Sequence, residues 1–125
     1  MGYEITLKIG KVIQWSPKDK PFLLDYASLD LCKPGPGAMA DLASRKPSAK
    51  HPAIAYYDGY SEEEKDTDSY GAKHPAIKLD EVIAALEKDN APPDRYRRYD
   101  WALALLKAMN ENNQDNEIIC VIHGH

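Results

Sequence analysis

Cysteine, phenylalanine and tryptophan are scarce here: two Cys, one Phe and two Trp in 125 residues. Cys32 and Cys120 are too few for a disulfide framework, so a packed core must hold the fold. A reducing, cytoplasmic compartment is the expectation that follows. Long apolar runs are also missing. The longest strongly apolar stretch is Ile118-Ile119-Cys120-Val121-Ile122, far short of the roughly 20 residues that span a bilayer. Met1-Gly2-Tyr3-Glu4 does not open a secretory signal, which places a basic segment before an apolar one. No membrane partner is expected.

Basic surplus is absent as well. Sixteen Lys and Arg face 20 Asp and Glu, giving a net charge of −4 and a pI near 5.5. A basic footprint is the first sign of a nucleic-acid binder, so no nucleic acid is expected. Several chemical signatures are missing too. The chain has no Gly-x-Ser-x-Gly nucleophile elbow, no His-Glu-x-x-His zinc motif, no phosphate-binding Gly-rich loop and no dinucleotide fingerprint. Cys120 lies inside the apolar run, where burial disfavours its thiolate.

What is present is an unusual internal identity. Ala49-Lys50-His51-Pro52-Ala53-Ile54 recurs 23 positions later as Ala72-Lys73-His74-Pro75-Ala76-Ile77. The residues that follow the two copies differ, so this is not a stacking repeat. Proline pushes the residue before it to extended geometry, which places His51 and His74 on extended segments entering structure.

Apolar spacing predicts the elements. Tyr3, Ile5, Leu7 and Ile9 alternate with Glu4, Thr6 and Lys8, the pattern of a strand with one face to the core and one to water. Gly10-Lys11 suits a hairpin turn before Val12, Ile13 and Trp15. Ala27, Leu29 and Leu31 predict a strand within 22–32, ended by Pro34-Gly35-Pro36-Gly37. A short helix is predicted over 38–44 and a short strand over 54–57. Leu79, Val82, Ile83 and Leu86 predict a helix over 80–89, capped by Asp80 and stopped by Pro92-Pro93. A second helix runs from Asp94 to Asn110, its first turn carrying Arg95, Arg97 and Arg98, and Glu117–His123 reads as an interior strand. The expectation is one α+β domain over 1–125: a small, mainly antiparallel sheet, built from an N-terminal hairpin and a C-terminal central strand, packed by two C-terminal helices.

Two candidate sites compete. The segment at about 58–71 is acidic and rich in tyrosine, and its composition predicts a solvated loop. Tyr56, Tyr57, Tyr60, Glu62, Glu63, Glu64, Asp66, Asp68 and Tyr70 form the candidate binding set. Tyrosine offers large contact area at low entropic cost, and acid speeds encounter with a basic protein partner. Asp66-Thr67-Asp68-Ser69-Tyr70-Gly71 begins like a calcium loop but has Ile77 where the bidentate Glu must stand. The second candidate is the histidine set: His51, His74, His123 and His125. His123 and His125 share one face of a strand, and with a third ligand they could hold zinc or another divalent metal. The leading expectation is a small acidic non-enzymatic binding or regulatory protein without a cofactor, of the inhibitor, immunity or phage-regulator kind in size and charge. The alternative is a small metal-dependent hydrolase.

Overall fold

The computed structural model describes residues 4–32, 37–59, 61–89 and 97–125. Tyr3, the turn residues 34–36, Tyr60, the Pro92-Pro93 stop, Asp94 and Arg95 lie outside the described residues. The elements are β1 (Ile5–Ile13), β2 (Phe22–Cys32), α1 (Ala38–Ala43), β3 (Ala55–Asp58), β4 (Glu63–Lys65), β5 (Ile77–Lys78), α2 (Leu79–Asp89), α3 (Arg97–Asn110) and β6 (Ile118–Gly124), with a 3-10 turn at Gln114–Asn116 before β6. The strands form one sheet in the order β4-β3-β2-β1-β6-β5. Every neighbouring pair is antiparallel except β2–β3. The chain is thus α+β, with β6 interior between β1 and β5.

One face of the sheet carries the core. Ile5, Leu7 and Ile9 of β1, Leu31 of β2, and Cys120 and Ile122 of β6 pack against all three helices. The helices contribute Met39 and Leu42 (α1), Leu79, Val82 and Leu86 (α2), and Tyr99, Ala102 and Leu106 (α3). The α2 stripe expected from the 3.6-residue period, with Leu79, Val82 and Leu86, faces this layer, while Trp101 and Leu105 of α3 are exposed. Asp80 does not act as a helix cap. It lies in the first turn of α2, where acid suits the helix dipole, and its carboxylate accepts a hydrogen bond from Asn110 Nδ2 at 2.6 Å, tying the start of α2 to the end of α3. The amide caps fall instead to α1, whose Ala38 and Met39 N–H groups donate to the two carboxylate oxygens of Asp89 at 2.7 and 3.0 Å.

The expected turn at Gly10-Lys11 is not there. β1 runs through to Ile13, and the chain reverses between residues 14 and 21 before pairing as β2. Gly10 sits instead beside a bulge: it pairs with Asp25 while Ile9 pairs with Ala27, which leaves Tyr26 over. A Cβ on Gly10 would lie 1.9 Å from the Leu24 carbonyl oxygen, so close backbone approach is what requires glycine. The bulge also flips the parity of β2. Leu23 and Asp25 before it, and Ser28 and Asp30 after it, share one face of the sheet.

That second face is not open to water as the β1 alternation predicts. Thr6 is buried, and Leu23, Tyr56 and Val121 form a small second core upon it. In a flat sheet β3 and β6 would be three strand spacings apart, about 14 Å. The Tyr56 hydroxyl nonetheless lies 2.7 Å from His123 Nδ1, so the sheet curls over its second face. A bridge between Ala53 and Pro75 ties the two flanks together. These residues belong to the two copies of the repeated hexapeptide, which therefore meet in space.

The acidic segment is not a uniform solvated loop either. β3 and β4 form a hairpin pairing Tyr56 with Lys65, Tyr57 with Glu64 and Asp58 with Glu63. Glu62 takes a left-handed conformation with φ 58° in its turn. Thr67 then bridges to Lys73. Strand alternation sends Tyr56 and Asp58 inward, which composition alone could not reveal.

Candidate functional site

Two regions have the chemistry to act, a polar one inside the curl and an apolar patch outside it. Inside, His123 sits opposite Thr6 across the β1–β6 ladder and is 1% exposed. Tyr56 donates its hydroxyl proton to the Thr67 carbonyl at 3.2 Å. The same hydroxyl lies 2.7 Å from His123 Nδ1. The ring planes meet edge to face at 81°. His123 Nε2 lies within hydrogen-bond distance of the Ser69 hydroxyl, at 3.3 Å, and stands 3.8 Å from Asp58 Oδ1. Asp58 is itself held by Lys65 at 3.2 Å. Burial pushes the His123 pKa below its ordinary value. Asp58 opposes this, Lys8 and His125 add to it, and Asp68 opposes it again. The ring is therefore neutral at pH 7.

His125 stacks on His123 with ring centres 5.8 Å apart. The Thr6 hydroxyl donates to Asp30 Oδ1, so its oxygen accepts from His125 Nε2–H at 2.9 Å. The C-terminal residue is anchored by its backbone as well, through two hydrogen bonds with Glu4.

Asp68 and His74 form a second buried pair. His74 Nε2 donates to Asp68 Oδ2 at 2.7 Å, and both side chains are almost fully buried. Asp68 Oδ1 accepts from the amides of Tyr70 and Ala72, each at 2.9 Å. Burial raises the Asp68 pKa, but the His74 and two backbone hydrogen bonds outweigh it and hold the carboxyl below its usual range.

The histidines thus have three fates. His123 and His125 are brought together, His74 is taken by Asp68, and His51 stays exposed on a turn with Ser48. Among the described residues no three His, Cys, Asp or Glu side chains gather in a way that could hold a metal ion. Cys120 is fully buried on the helix side of the sheet, and burial pushes its thiol far up. It offers no nucleophile.

The binding set divides in the same way. Tyr56, Asp58 and Asp68 point inward, whereas Tyr57, Glu62, Glu63, Glu64 and Tyr70 lie exposed, with Asp66 half-buried and paired to Lys73. Arg98 is exposed, while the side chain of Arg97 lies outside the described set. Outside the curl, the sheet also presents an apolar patch that composition does not signal. Leu23 pairs with Tyr56, so the next residues, Leu24 and Tyr57, point together to the other face. On that face Leu24 is 44% and Tyr57 48% exposed. Phe22 lies on the same face, and Trp15, 78% exposed, packs its ring 6.4 Å from that of Phe22. Glu64, directly across from Tyr57, rims this patch with charge. The one available signal was the β2 stretch Phe22-Leu23-Leu24, apolar at both parities.

No helix among the described residues is long and apolar enough to cross a membrane. Comparison of the chain with family models, curated proteins and solved structures finds no match.

Proposed function

We propose that this protein is a non-enzymatic binding module, and that it docks a protein partner on the outer face of the β2–β3–β4 flank. The observation that carries this reading is the exposed set Trp15, Leu24 and Tyr57 beside the acidic hairpin residues Glu62, Glu63 and Glu64. Exposed aromatic clusters rimmed by charge are the anatomy of recognition surfaces, with aromatic anchors burying area and the rim setting the encounter rate. The partner should present apolar residues within a basic surround, in keeping with the net charge of −4. Tyr56, Asp58 and Asp68 leave the recognition set and serve the fold. Among the described residues no third ligand joins His123 and His125 in a cluster that could hold a metal ion.

A photo-crosslinking residue placed at position 57 tests the reading in an extract of the source cells. Crosslinks to one basic protein should weaken with rising salt and disappear on Leu24→Asp. Crosslinks only to a second copy of this chain, or a pattern indifferent to Leu24→Asp, would overturn it.

A further inference from the structure

Helix α3 is apolar on more than the side that meets the core. Tyr99, Ala102 and Leu106 are buried, but Trp101 stands 64% and Leu105 37% exposed. Ala104 and Ala108 are exposed as well. At about 100° per residue, Trp101, Ala104, Leu105 and Ala108 follow the i, i+3, i+4, i+7 spacing of a single helix stripe. α3 thus carries a second apolar stripe in water. An amphipathic helix at a protein surface presents charge on that side instead. Exposed tryptophan is the residue type most enriched among the anchors of protein contacts.

The charges along one edge of the stripe indicate what covers it. In chain order they are Arg97, Asp100, Lys107 and Glu111, with Ala104 at the middle. α3 begins at Arg97, and Glu111 continues its last turn by donating its N–H to the Lys107 carbonyl at 3.1 Å. The order is cation, acid, cation, acid, which is its own complement when reversed. A second α3 laid antiparallel, about a twofold axis near residues 104 and 105, sets Asp100 against Lys107 of the other copy. It also sets position 97 against position 111. Every charge then meets its opposite, whereas a parallel copy sets each against its like. The same axis lays the large Trp101 over the small Ala108 of the other copy, at both ends, with Ala104 and Leu105 at the centre.

We propose that this protein forms a symmetric homodimer through the outer stripe of α3, with the two helices antiparallel and Trp101 as the anchor. A twofold interface needs one self-complementary patch, and this stripe is one. Asp100 and Lys107 are both exposed. Lys107 also pairs with Glu87 at 3.4 Å, but as an exposed contact of the weak, exchangeable kind. One helix stripe and its charged edge use far fewer residues than the roughly 20–30 on each side of a standard interface, so the dimer belongs to the weak, concentration-dependent class. It uses no residue of β2, β3 or β4, and its failure would leave the docking reading of that flank untouched.

Sedimentation velocity of the full chain between about 1 µM and about 1 mM, the range of weak association, tests the proposal. A shift from monomer to dimer is expected as concentration rises. Trp101→Ala should weaken the dimer at least about thirtyfold, the loss that an aromatic anchor carries. Asp100→Lys and Lys107→Asp each bring like charges together twice per dimer and should each weaken it about tenfold at low salt. The two together restore opposite pairs and should recover the dimer. All these side chains are exposed, so the unfolding midpoints of the variants should stay near that of the parent chain. A monomer at every concentration would overturn the proposal. So would a dimer indifferent to Trp101→Ala, or a double charge variant no tighter than either single one.

Discussion

Six positions before His74 stands Asp68, and six positions before His51 stands Arg45. The two histidines stand in local sequences identical over six residues, yet only His74 has an acid at that offset. Asp68 draws the His74 imidazole out of water and fixes it, while His51, with no acid at that distance, remains on the surface. Asp68→Asn should therefore cost about 1–3 kcal/mol, because an amide cannot replace a carboxylate that accepts from three donors. Denaturant unfolding of the variant checks this. A cost below a few tenths of a kcal/mol would show that the Asp68 contacts carry no stability.

His123 makes a prediction about pH. Its folded pKa is depressed below the unfolded value of about 6.5. As pH falls past that value, the unfolded chain takes up a proton that native His123 refuses. Its contribution to stability is thus complete above about pH 6.5 and is lost as pH falls toward the folded pKa. His123→Gln should flatten the dependence of the unfolding midpoint on pH in that acid window. An unchanged slope would place the dependence on other groups.

At the scale of elements, the β1–β2 ladder depends on one glycine. Gly10→Val drives a side chain into the Leu24 carbonyl, which the bulge holds 1.9 Å from the position of a Cβ. Overpacking of this kind costs about 1–3 kcal/mol and the backbone has to shift. Loss of protection at the Leu24 and Asp25 amides in hydrogen exchange would locate the damage. The short helix α1 depends on Asp89 in turn, since its first amides are capped from the end of α2 rather than from its own N-terminus. Asp89→Ala should cost about 1 kcal/mol and loosen α1 while leaving α3 intact, which amide exchange resolves helix by helix.

The elements also show where local pattern suffices. The stripe of α2 and the apolar side of β1 are legible because Leu79, Val82 and Leu86, and Ile5, Leu7 and Ile9, each obey one period against one apolar layer, whereas in α3 the apolar Trp101 and Leu105 stand exposed outside the buried stripe. β2 was harder, because its bulge reverses the parity of the strand midway. The acidic segment departs from the expected loop for a related reason. Its average composition is that of a solvated loop, but hairpin alternation turns Tyr56 and Asp58 inward while Tyr57 and Glu64 face out.

At the scale of the whole molecule, the exposed acids should be separable from the fold. Replacing Glu62, Glu63 and Glu64 together by serine should shift stability by no more than about 0.5 kcal/mol per site, as for ordinary surface positions. Under the docking reading, the same variant should associate with its partner more slowly at low salt, with the difference shrinking as salt rises. Stopped-flow association across a salt series measures both effects. Equal rates at all salt concentrations would remove the acids from recognition.

The sequence by itself determined the α+β class, the apolar layer beneath the helices, the interior β6 strand and the burial of Cys120. These follow from periodicity and apolar content, which act between near neighbours in the chain. Only the tertiary structure decided the rest: the curl that brings Tyr56 to His123, the meeting of the two hexapeptides at Ala53 and Pro75, the capture of His74 by Asp68 and the exposure of Leu24 beside Tyr57. The physical reason is that sheet curvature and strand order set which distant side chains share a face. Identical local sequences hold no information about the partner that will meet them.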